Sequence, residues 1–250
     1  MTQPHIDDRV AHAVELIRTC QPAVAFTGAG ISVESGIPTF RGPGGLWETV
    51  DPIFIEIRYF RSNPKESWEK IRDIFYRYFG QAEPNAAHRF LARLEERGLL
   101  HAVITQNIDN LHQDAGNTNV VEFHGNSKSL VCTRCGTACA FEPDILDTLP
   151  PRCHLCEGIL KPDFVFFGEM IPTDALTDSD HLVQNCGLLI VIGTTGEVYP
   201  AAQLPAIARS NGSRIIEINP DRSMITSLAD VHLPLRATEA GDRLIAELGL

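Results

Sequence analysis

Four cysteines arranged as two pairs are the residues whose spacing most directly indicates chemistry. Cys132 and Cys135 form one C-x-x-C pair, Cys153 and Cys156 form a second, and residues 136–152 lie between the pairs. This spacing is typical of a zinc site, because each two-residue turn lets both sulfurs of a pair face one ion. Four sulfur ligands fill a tetrahedral shell and leave no open position. We therefore predict one structural Zn²⁺ ion without a catalytic role.

A glycine-rich turn after an apolar run is a candidate phosphate site. Residues 23–26 predict a buried strand, and they lead into the sequence Thr-Gly-Ala-Gly at 27–30. Glycines let a backbone approach a pyrophosphate, and a helix N-terminus favours its charge. The dinucleotide fingerprint G-x-G-x-x-G is incomplete, because Val33 stands at its third glycine. Small or polar residues after two further apolar runs, at 193–195 and 219–221, strengthen the case, since carboxyl ends of strands share the ligand-binding edge of an open α/β sheet.

Polar side chains that could perform catalysis lie near these turns. His124 is a candidate general base, because an imidazole has an unperturbed pKa near ~6.5. Residues 106–109, Gln-Asn-Ile-Asp, directly follow another apolar run, and Arg41 lies in a Gly/Pro-rich stretch. Each has a structural alternative when taken alone: His124 as a satisfied structural histidine, Asp109 as a helix N-cap and Arg41 as a solvated loop charge.

The elements that must position these residues alternate between strands and helices. Strands are predicted at residues 23–26, 102–105, 188–192, 214–218 and 231–235, the last at an edge because Pro234 cannot donate to a ladder. Helices are predicted at residues 7–19, 68–79, 86–97, 201–209 and 238–248. This alternation predicts an α/β fold with a doubly wound parallel sheet. Residues 34–64 predict a long ordered loop, and residues 130–160 interrupt the alternation as a small inserted module.

The composition argues against several classes of partner. Lys and Arg total 21 and Asp and Glu total 32, so the net charge is −11. This balance argues against non-specific binding to nucleic acid or to an anionic membrane, and it favours a basic partner such as a Lys-rich protein segment. The longest strongly apolar stretch, residues 188–192, is far shorter than the roughly 20 residues that cross a bilayer. The N-terminus lacks the apolar core of a signal peptide, so we expect a cytoplasmic protein with no nucleic-acid or membrane partner.

Several longer motifs occur in one order along the chain, and together they resemble the sirtuin family of NAD-dependent protein-lysine deacylases. The resemblance rests on Gly28-Ala-Gly-Ile-Ser32, Ser35-Gly-Ile-Pro38, Phe40-Arg41-Gly42, Thr105-Gln-Asn-Ile-Asp109, Leu111-His112, Ala115-Gly116, His124-Gly125, the four cysteines, Phe166-Phe-Gly-Glu169, Gly193-Thr-Thr195, Tyr199-Pro-Ala201 and Asn219. It implies a Rossmann-like NAD-binding domain at residues 1–35, 80–125 and 160–250. It also implies a cofactor-binding loop and helical insertion at 36–79 and a zinc-binding module at 126–159.

The resemblance also implies roles for individual residues. His124 would be the general base, with Asn107 beside it in the catalytic set. The NAD site would be lined by Gly28, Ala29, Gly30, Val33, Phe40, Arg41, Gln106, Ile108, Asp109, Gly193, Thr194, Thr195 and Asn219. The substrate backbone would lie as an added strand between two segments that contain Val165, Phe167, Gly168, Glu169, Val198 and Tyr199.

The implied reaction transfers an acyl group from lysine to ADP-ribose and releases nicotinamide and O-acyl-ADP-ribose. The partners would be proteins or peptides that carry an acyl-lysine, and an ordered site must exclude water so that NAD is not simply hydrolysed. Acidic acyl groups are disfavoured, because the helix predicted at 68–79 lacks the Tyr-x-x-Arg pair of family members that prefer them. The alternative is protein ADP-ribosylation at the same NAD site. Two other hypotheses are disfavoured. Val33 at the third glycine of the fingerprint argues against a dehydrogenase, and the net charge of −11 argues against a zinc-ribbon nucleic-acid binder.

Overall fold

The computed structural model describes residues 5–42 and 44–250. Its strands are β1 (Ala23–Thr27), β2 (Ala102–Thr105), β3 (Val120–Glu122), β4 (Gly125–Cys132), β5 (Ala138–Ala140), β6 (Leu160–Phe164), β7 (Leu188–Ile192), β8 (Arg214–Ile218) and β9 (Val231–Leu233). Its α-helices are α1 (Ile6–Thr19), α2 (Ile57–Ser62), α3 (Pro64–Ile71), α4 (Arg77–Phe79), α5 (Ala86–Glu96), α6 (Leu111–Ala115), α7 (Thr173–Asn185), α8 (Leu204–Ser210) and α9 (Ala237–Leu248). A π-helical segment, Arg72–Tyr76, joins α3 to α4. Within the described ranges, no helix has both the length and the apolar character needed to cross a bilayer.

The larger sheet has six parallel strands in the order β3-β2-β1-β7-β8-β9. Successive strands are added outward from β1 on one side and outward from β7 on the other, so the winding direction reverses between them. This confirms the predicted α/β fold with a Rossmann-like, doubly wound sheet. Ligands of such sheets bind beyond the carboxyl ends of the strands at the reversal, which here is the border between β1 and β7.

The central strands are the most buried part of the chain. Every residue of β1, β2 and β7 is buried, as expected for apolar parallel strands covered on both faces. Helices α1, α5 and α9 pack on one face of the sheet, and α7 and α8 pack on the other. The sheet is therefore held rigidly, and the polar residues that follow its strands have fixed positions.

The smaller domain combines the zinc module with the helical insertion. Its antiparallel sheet has the order β5-β4-β6, so residues 160–164, assigned from sequence to the large domain, pair with β4. The Trp68 side chain of α3 is fully buried, and its indole N–H donates to the Leu160 carbonyl at 2.8 Å. One hydrophobic cluster includes residues of the helical insertion, β4, β6 and the cysteine turns. The two segments thus share a single core.

The segment at 34–64 is more regular than the loop that its Gly/Pro content predicts. It contains three short 3-10 turns, Val33–Ser35, Leu46–Glu48 and Pro52–Ile55, followed by helix α2. Pro64 occupies the first turn of α3, where a missing N–H costs nothing. Pro52 and Pro64 thus begin helical turns and do not mark irregular chain.

Candidate active site

Two glycine turns meet at the carboxyl ends of β1 and β7. The Gly28 N–H donates to the Ile192 carbonyl at 3.0 Å, and the Gly30 N–H donates to the Gly193 carbonyl at 2.8 Å. A Cβ at Gly30 would lie 2.6 Å from the Cα of Gly193, and one at Gly193 would lie 2.3 Å from the Ile31 nitrogen. No side chain fits at such distances. Glycine at these two positions lets the turns pack backbone to backbone.

The first turn offers a different phosphate-binding geometry from the one its sequence suggests. It continues into the 3-10 turn Ala29–Ile31 and not into a long α-helix, so a helix dipole contributes little here. The Gly30 N–H is occupied by Gly193. The Ala29 N–H has no hydrogen-bond partner in the described part of the chain, and Ala29 is partly exposed. Ala29 is therefore the donor that this turn presents to a ligand.

Hydrogen bonds connect residues that follow β2, β7 and β8 with His232 of β9. The Gln106 amide donates to Thr194 Oγ1 at 3.1 Å, and the Asn219 amide donates to the Thr194 carbonyl at 3.1 Å. His232 Nε2 in turn lies 2.9 Å from the Asn219 carbonyl, to which it must donate because a carbonyl only accepts. Thr195 is exposed beside them. Three predicted NAD contacts thus lie in one hydrogen-bonded row, whereas His232 was not predicted from sequence.

His124 lies at the start of the small sheet, directly beside the end of β2. Its Nδ1 is 3.0 Å from the Gln106 carbonyl. A carbonyl accepts only, so Nδ1 carries the proton and Nε2 keeps its lone pair. Burial lowers the pKa of His124 from its usual value, and the bond to Gln106 offsets part of that effect. The imidazole is therefore neutral near pH 7 and able to take up a proton at Nε2.

A buried polar network lies below the glycine turn and contains Asn107 and Asp109. The Ser32 hydroxyl donates to Asp109 Oδ2 at 2.7 Å, and Asn107 Nδ2 donates to Ser32 Oγ at 3.1 Å. Asp109 Oδ1 accepts the Leu111 N–H at 3.0 Å, but the N-cap of α6 is Asn110, so Asp109 lies one residue before the cap and does not take the N-cap position that the sequence offered as an alternative. Burial raises the pKa of Asp109, and the hydrogen bonds from Leu111 and Ser32 oppose that shift.

Two buried histidines extend this network and were not predicted from sequence. His88 Nε2 lies 3.5 Å from Ser32 Oγ, and His112 Nε2 lies 2.9 Å from Thr27 Oγ1. Their ring centroids are 5.0 Å apart. Burial lowers the pKa of His88 to about 2 and that of His112 to about 4, so both rings are neutral near pH 7. One sequence signal could have found His88. Asn85 lies three residues before it, and the two residues form a capping box at the start of α5.

The predicted cofactor loop approaches from the small-domain side. Phe40 stacks on Trp47 with ring centroids 5.3 Å apart, and it lies 6.1 Å from the ring of Phe75. Arg41 is exposed and has no ion pair within residues 5–42 and 44–250, and Val33 is 42% exposed. Phe40 is thus fixed by the aromatic cluster, whereas the structure does not connect Arg41 or Val33 to the strand-end residues.

The predicted substrate segment, Val165 to Glu169, directly follows β6. The Phe167 N–H donates to the Ile55 carbonyl at 2.9 Å, and the Phe167 carbonyl accepts the Ile57 N–H at 3.0 Å. The backbone of Phe167 is thus already paired on one edge. Gly168 has φ of +85°, and neither its N–H nor its carbonyl has a backbone partner among the described residues.

The second predicted substrate segment follows the Gly193 turn. Tyr199 is 71% exposed, and the Val198 carbonyl accepts the Ala202 N–H at 2.8 Å. Glu197 accepts a hydrogen bond from the Thr195 hydroxyl at 3.2 Å. This segment is therefore ordered by local contacts and presents one large aromatic side chain to the surroundings.

The four paired cysteines form one group with the dimensions of a zinc site. Their Sγ atoms all lie within 4.8 Å of one another, with Cys132 to Cys156 at 3.5 Å and Cys135 to Cys153 at 3.8 Å. A tetrahedral ion with Zn–S bonds of about 2.3 Å requires sulfurs about 3.8 Å apart. The donor set and its spacing therefore fit one Zn²⁺ ion with four sulfur ligands. Such an ion has no open coordination position for catalysis.

The model of the Sir2 family matches residues 28–200 of this sequence. The chain belongs to the Sir2 family. This Sir2 chain is 43% identical over 244 residues to an NAD-dependent protein deacylase of Aeropyrum pernix, a match that covers 97% of the chain and 99% of the relative. It is 44% identical to NAD-dependent protein deacetylase 1 of Pyrobaculum aerophilum, with 96% of the chain and 95% of the relative covered.

Solved Sir2 structures have the same fold. A Sir2 histidine mutant with a deacetylated p53 peptide and 3′-O-acetyl-ADP-ribose has a TM-score of 0.91 at 37% identity, covering 96% of this chain and 99% of that one. A Sir2 complex with a p53 peptide and NAD⁺ has a TM-score of 0.87 at 39% identity, covering 95% and 98%. The resemblance to sirtuins inferred from sequence motifs is confirmed.

Proposed function

We propose that His124 is the general base of this chain's reaction and that the cleft beside it holds NAD and an acyl-lysine together. The chain is an NAD-dependent protein deacylase of the Sir2 family, with one structural zinc ion. The observation that carries the site assignment is the fixed tautomer of His124. Its Nδ1–H is held by the Gln106 carbonyl at 3.0 Å, at the carboxyl end of β2, the strand next to β1 and the winding reversal.

NAD, when bound, supplies the ADP-ribose that accepts the acyl group and the nicotinamide that leaves. The residues that fit this dinucleotide are the Ala29 N–H, the Gln106–Thr194–Asn219 row and the exposed hydroxyl of Thr195. Gly28 supports the fit, because a Cβ there would lie 2.8 Å from the Thr194 Cβ and would fill the space between the two turns. Gly30 and Gly193 act by letting those turns approach.

His124 moves one proton in this scheme. Its Nε2 takes up the proton of a ribose hydroxyl, while Nδ1 stays bonded to Gln106. The His124 carbonyl also accepts the Val165 N–H at 2.9 Å. The base and the substrate segment are thus joined through one backbone hydrogen bond.

Asn107 and Asp109 serve the nicotinamide end. Ile108 is buried between them, and both polar side chains are fixed through Ser32. We assign Ile108 and Asp109 to hold the nicotinamide amide and Asn107 to order the base of the pocket. Phe40, stacked on Trp47, covers the same region from the loop and excludes water from the reacting carbon.

The substrate peptide pairs with the free edge of the Val165–Glu169 segment. The backbone groups of Phe167 are occupied by Ile55 and Ile57, whereas the N–H and carbonyl of Gly168 have no backbone partner among the described residues, so Gly168 can offer both to an added strand. The exposed Tyr199 covers that strand from the other side. The partners are therefore acyl-lysine proteins or peptides presented in extended form, and the net charge of −11 suits basic surroundings of that lysine.

The remaining assignments follow from this scheme. We place the chain in the cytoplasm, and we assign no nucleic-acid partner because its net charge of −11 opposes one. We divide it into an NAD-binding domain at 1–35, 80–125 and 160–250, an insertion at 36–79 and a zinc module at 126–159, except that residues 160–164 contribute β6 to the sheet of the zinc module. Protein ADP-ribosylation, the alternative, has no support among the relatives described above.

Nicotinamide release in the presence and absence of an acetyl-lysine peptide tests the function. We expect release to depend on the acylated peptide and to yield O-acetyl-ADP-ribose and free lysine in equal amounts by mass spectrometry. His124→Ala should lower the rate by about 10²- to 10⁴-fold, which is the usual contribution of a general base. The exposed histidine His12 provides a control, since His12→Ala should leave the rate unchanged. Peptide-independent release with ADP-ribose attached to protein would contradict the assignment.

A further inference from the structure

A nearly buried lysine lies below the substrate segment. The Lys161 side chain, on β6, is 12% exposed and forms an ion pair with Glu169 Oε2 at 3.0 Å. Its Nζ also donates to the Phe164 carbonyl at 2.6 Å and to the Pro162 carbonyl at 3.0 Å. An ammonium has three N–H donors, and all three are used. The Nζ lies 4.2 Å from the centroid of the Phe166 ring, close enough for a cation–π contact.

Glu169 closes the other end of the same segment. The carboxylate oxygen that binds Lys161, Oε2, also accepts the Phe166 N–H at 2.8 Å. The Glu169 N–H donates to the Phe166 carbonyl at 3.0 Å. Both backbone groups of Phe166 are thus engaged within the segment, which leaves Gly168 as the residue of Val165–Glu169 whose N–H and carbonyl both lack a backbone partner among the described residues.

This ion pair contributes more to geometry than to folding free energy. Removing a lysine and a glutamate from water costs free energy that offsets most of their attraction, so buried pairs contribute little net stability. Burial lowers the pKa of Lys161, and the charge of Glu169 opposes that shift. An apolar side chain of similar length would fill the same space. What it would not supply is the connection between the Phe164 carbonyl and the Glu169 carboxylate.

We propose that Lys161 is a positioning residue that holds the Phe164–Glu169 segment in the register at which Gly168 pairs with the substrate backbone. The residue lies beneath the strand and acts through Glu169 and the Phe164 carbonyl, without touching the reacting atoms. The proposal rests on the proposed function only in taking this segment as the peptide site. It makes Lys161 a determinant of peptide affinity.

Lys161→Met tests the proposal, because methionine fills similar volume without the charge. We expect KM for an acetyl-lysine peptide to rise about tenfold or more, equivalent to about 1.4 kcal/mol. The kcat at saturating peptide and KM for NAD should stay within about twofold of the wild-type values. Lys161→Arg, which keeps the charge, should recover most of the affinity. Amide hydrogen exchange at Phe166 and Gly168 should accelerate in Lys161→Met, while that of β1 stays unchanged.

Two further variants complete the design. Lys128→Met provides the matched control, since Lys128 is 58% exposed and pairs with Asp114 on the surface. Its peptide KM and exchange rates should equal those of the wild type. The double variant Lys161→Met/Glu169→Gln should raise the peptide KM by less than the product of the two single effects, because the two residues share one ion pair; a fully multiplicative effect would contradict that coupling.

Separate results would overturn the inference and the proposed function. An unchanged peptide KM in Lys161→Met refutes positioning. A parallel loss of kcat, NAD affinity and melting temperature also refutes it, because Lys161 would then serve general stability. If the wild-type protein releases no nicotinamide in response to acyl-lysine, the proposed function fails. Hydrogen exchange still tests in that case whether Lys161 holds the Phe164–Glu169 segment in place, since the measurement requires no turnover.

Discussion

Replacing Gly30 with alanine would separate the two turns that form the ligand edge of the sheet. The added Cβ would lie 2.6 Å from the Cα of Gly193 and 2.8 Å from its carbonyl oxygen, both backbone atoms that cannot rotate away. Overpacking of this kind costs about 1–3 kcal/mol. The Gly30 N–H···O=C bond to Gly193, at 2.8 Å, would be lost with it, at a cost of about 1 kcal/mol. We therefore expect a loss of about 2–4 kcal/mol in the free energy of unfolding.

The same change should weaken NAD binding, because the Ala29 N–H moves with the turn. We expect at least a tenfold increase in Kd by calorimetry, equivalent to about 1.4 kcal/mol. Urea unfolding should show a lower midpoint with an unchanged slope, which indicates altered stability and not an altered unfolded state.

Gly36→Ala provides the matched control. Gly36 has φ of +90° but no atom within 4 Å of an added Cβ, so alanine there costs about 1–2 kcal/mol of backbone strain without a clash. Its NAD affinity should equal that of the wild type. If Gly30→Ala binds NAD normally and unfolds at the wild-type urea concentration, the argument from close backbone approach is wrong.

Three further predictions concern ionisation and the metal. Burial lowers the pKa of His124, and the base acts when neutral, so kcat/KM should decline with acid only below pH 6.5; a decline that begins at higher pH would contradict the assignment. His88 and His112 stay neutral in the folded state while the unfolded chain takes up protons below about pH 6.5, so stability should fall as pH falls. Each of the two histidines should lower the free energy of unfolding by on the order of 2 kcal/mol between pH 7.5 and pH 5, measured by urea unfolding. His12→Ala should leave this loss in place, and a ring that is charged in the folded state would not contribute to it. Cys132→Ala should lose zinc by metal analysis and activity with it, and full zinc content in that variant would refute the four-sulfur site.

Much of the fold could be predicted because the central strands carry a simple signal. β1, β2, β7 and β8 are short apolar runs followed by polar or glycine turns, and parallel strands need that pattern since both of their faces are buried. β3 and α7 lacked such a signal. Every residue of β3 is only partly buried, and α7 buries only Ser179 and Val183, so neither has a clear apolar periodicity.

The features of the site also fall into those that local sequence determined and those that the tertiary structure decided. Local spacing along the chain determined the four zinc ligands, the glycine turns and the polar residues after each strand, because short turns hold neighbouring ligands close together whatever surrounds them. The tertiary structure decided which groups face one another. It pairs Phe167 with Ile55 and Ile57, occupies the Gly30 N–H with Gly193 and places Lys161 below Glu169. It also sets the burial that lowers the pKa of His124. These contacts join residues far apart in sequence, and their energies depend on desolvation and distance, which exist only once the chain has folded.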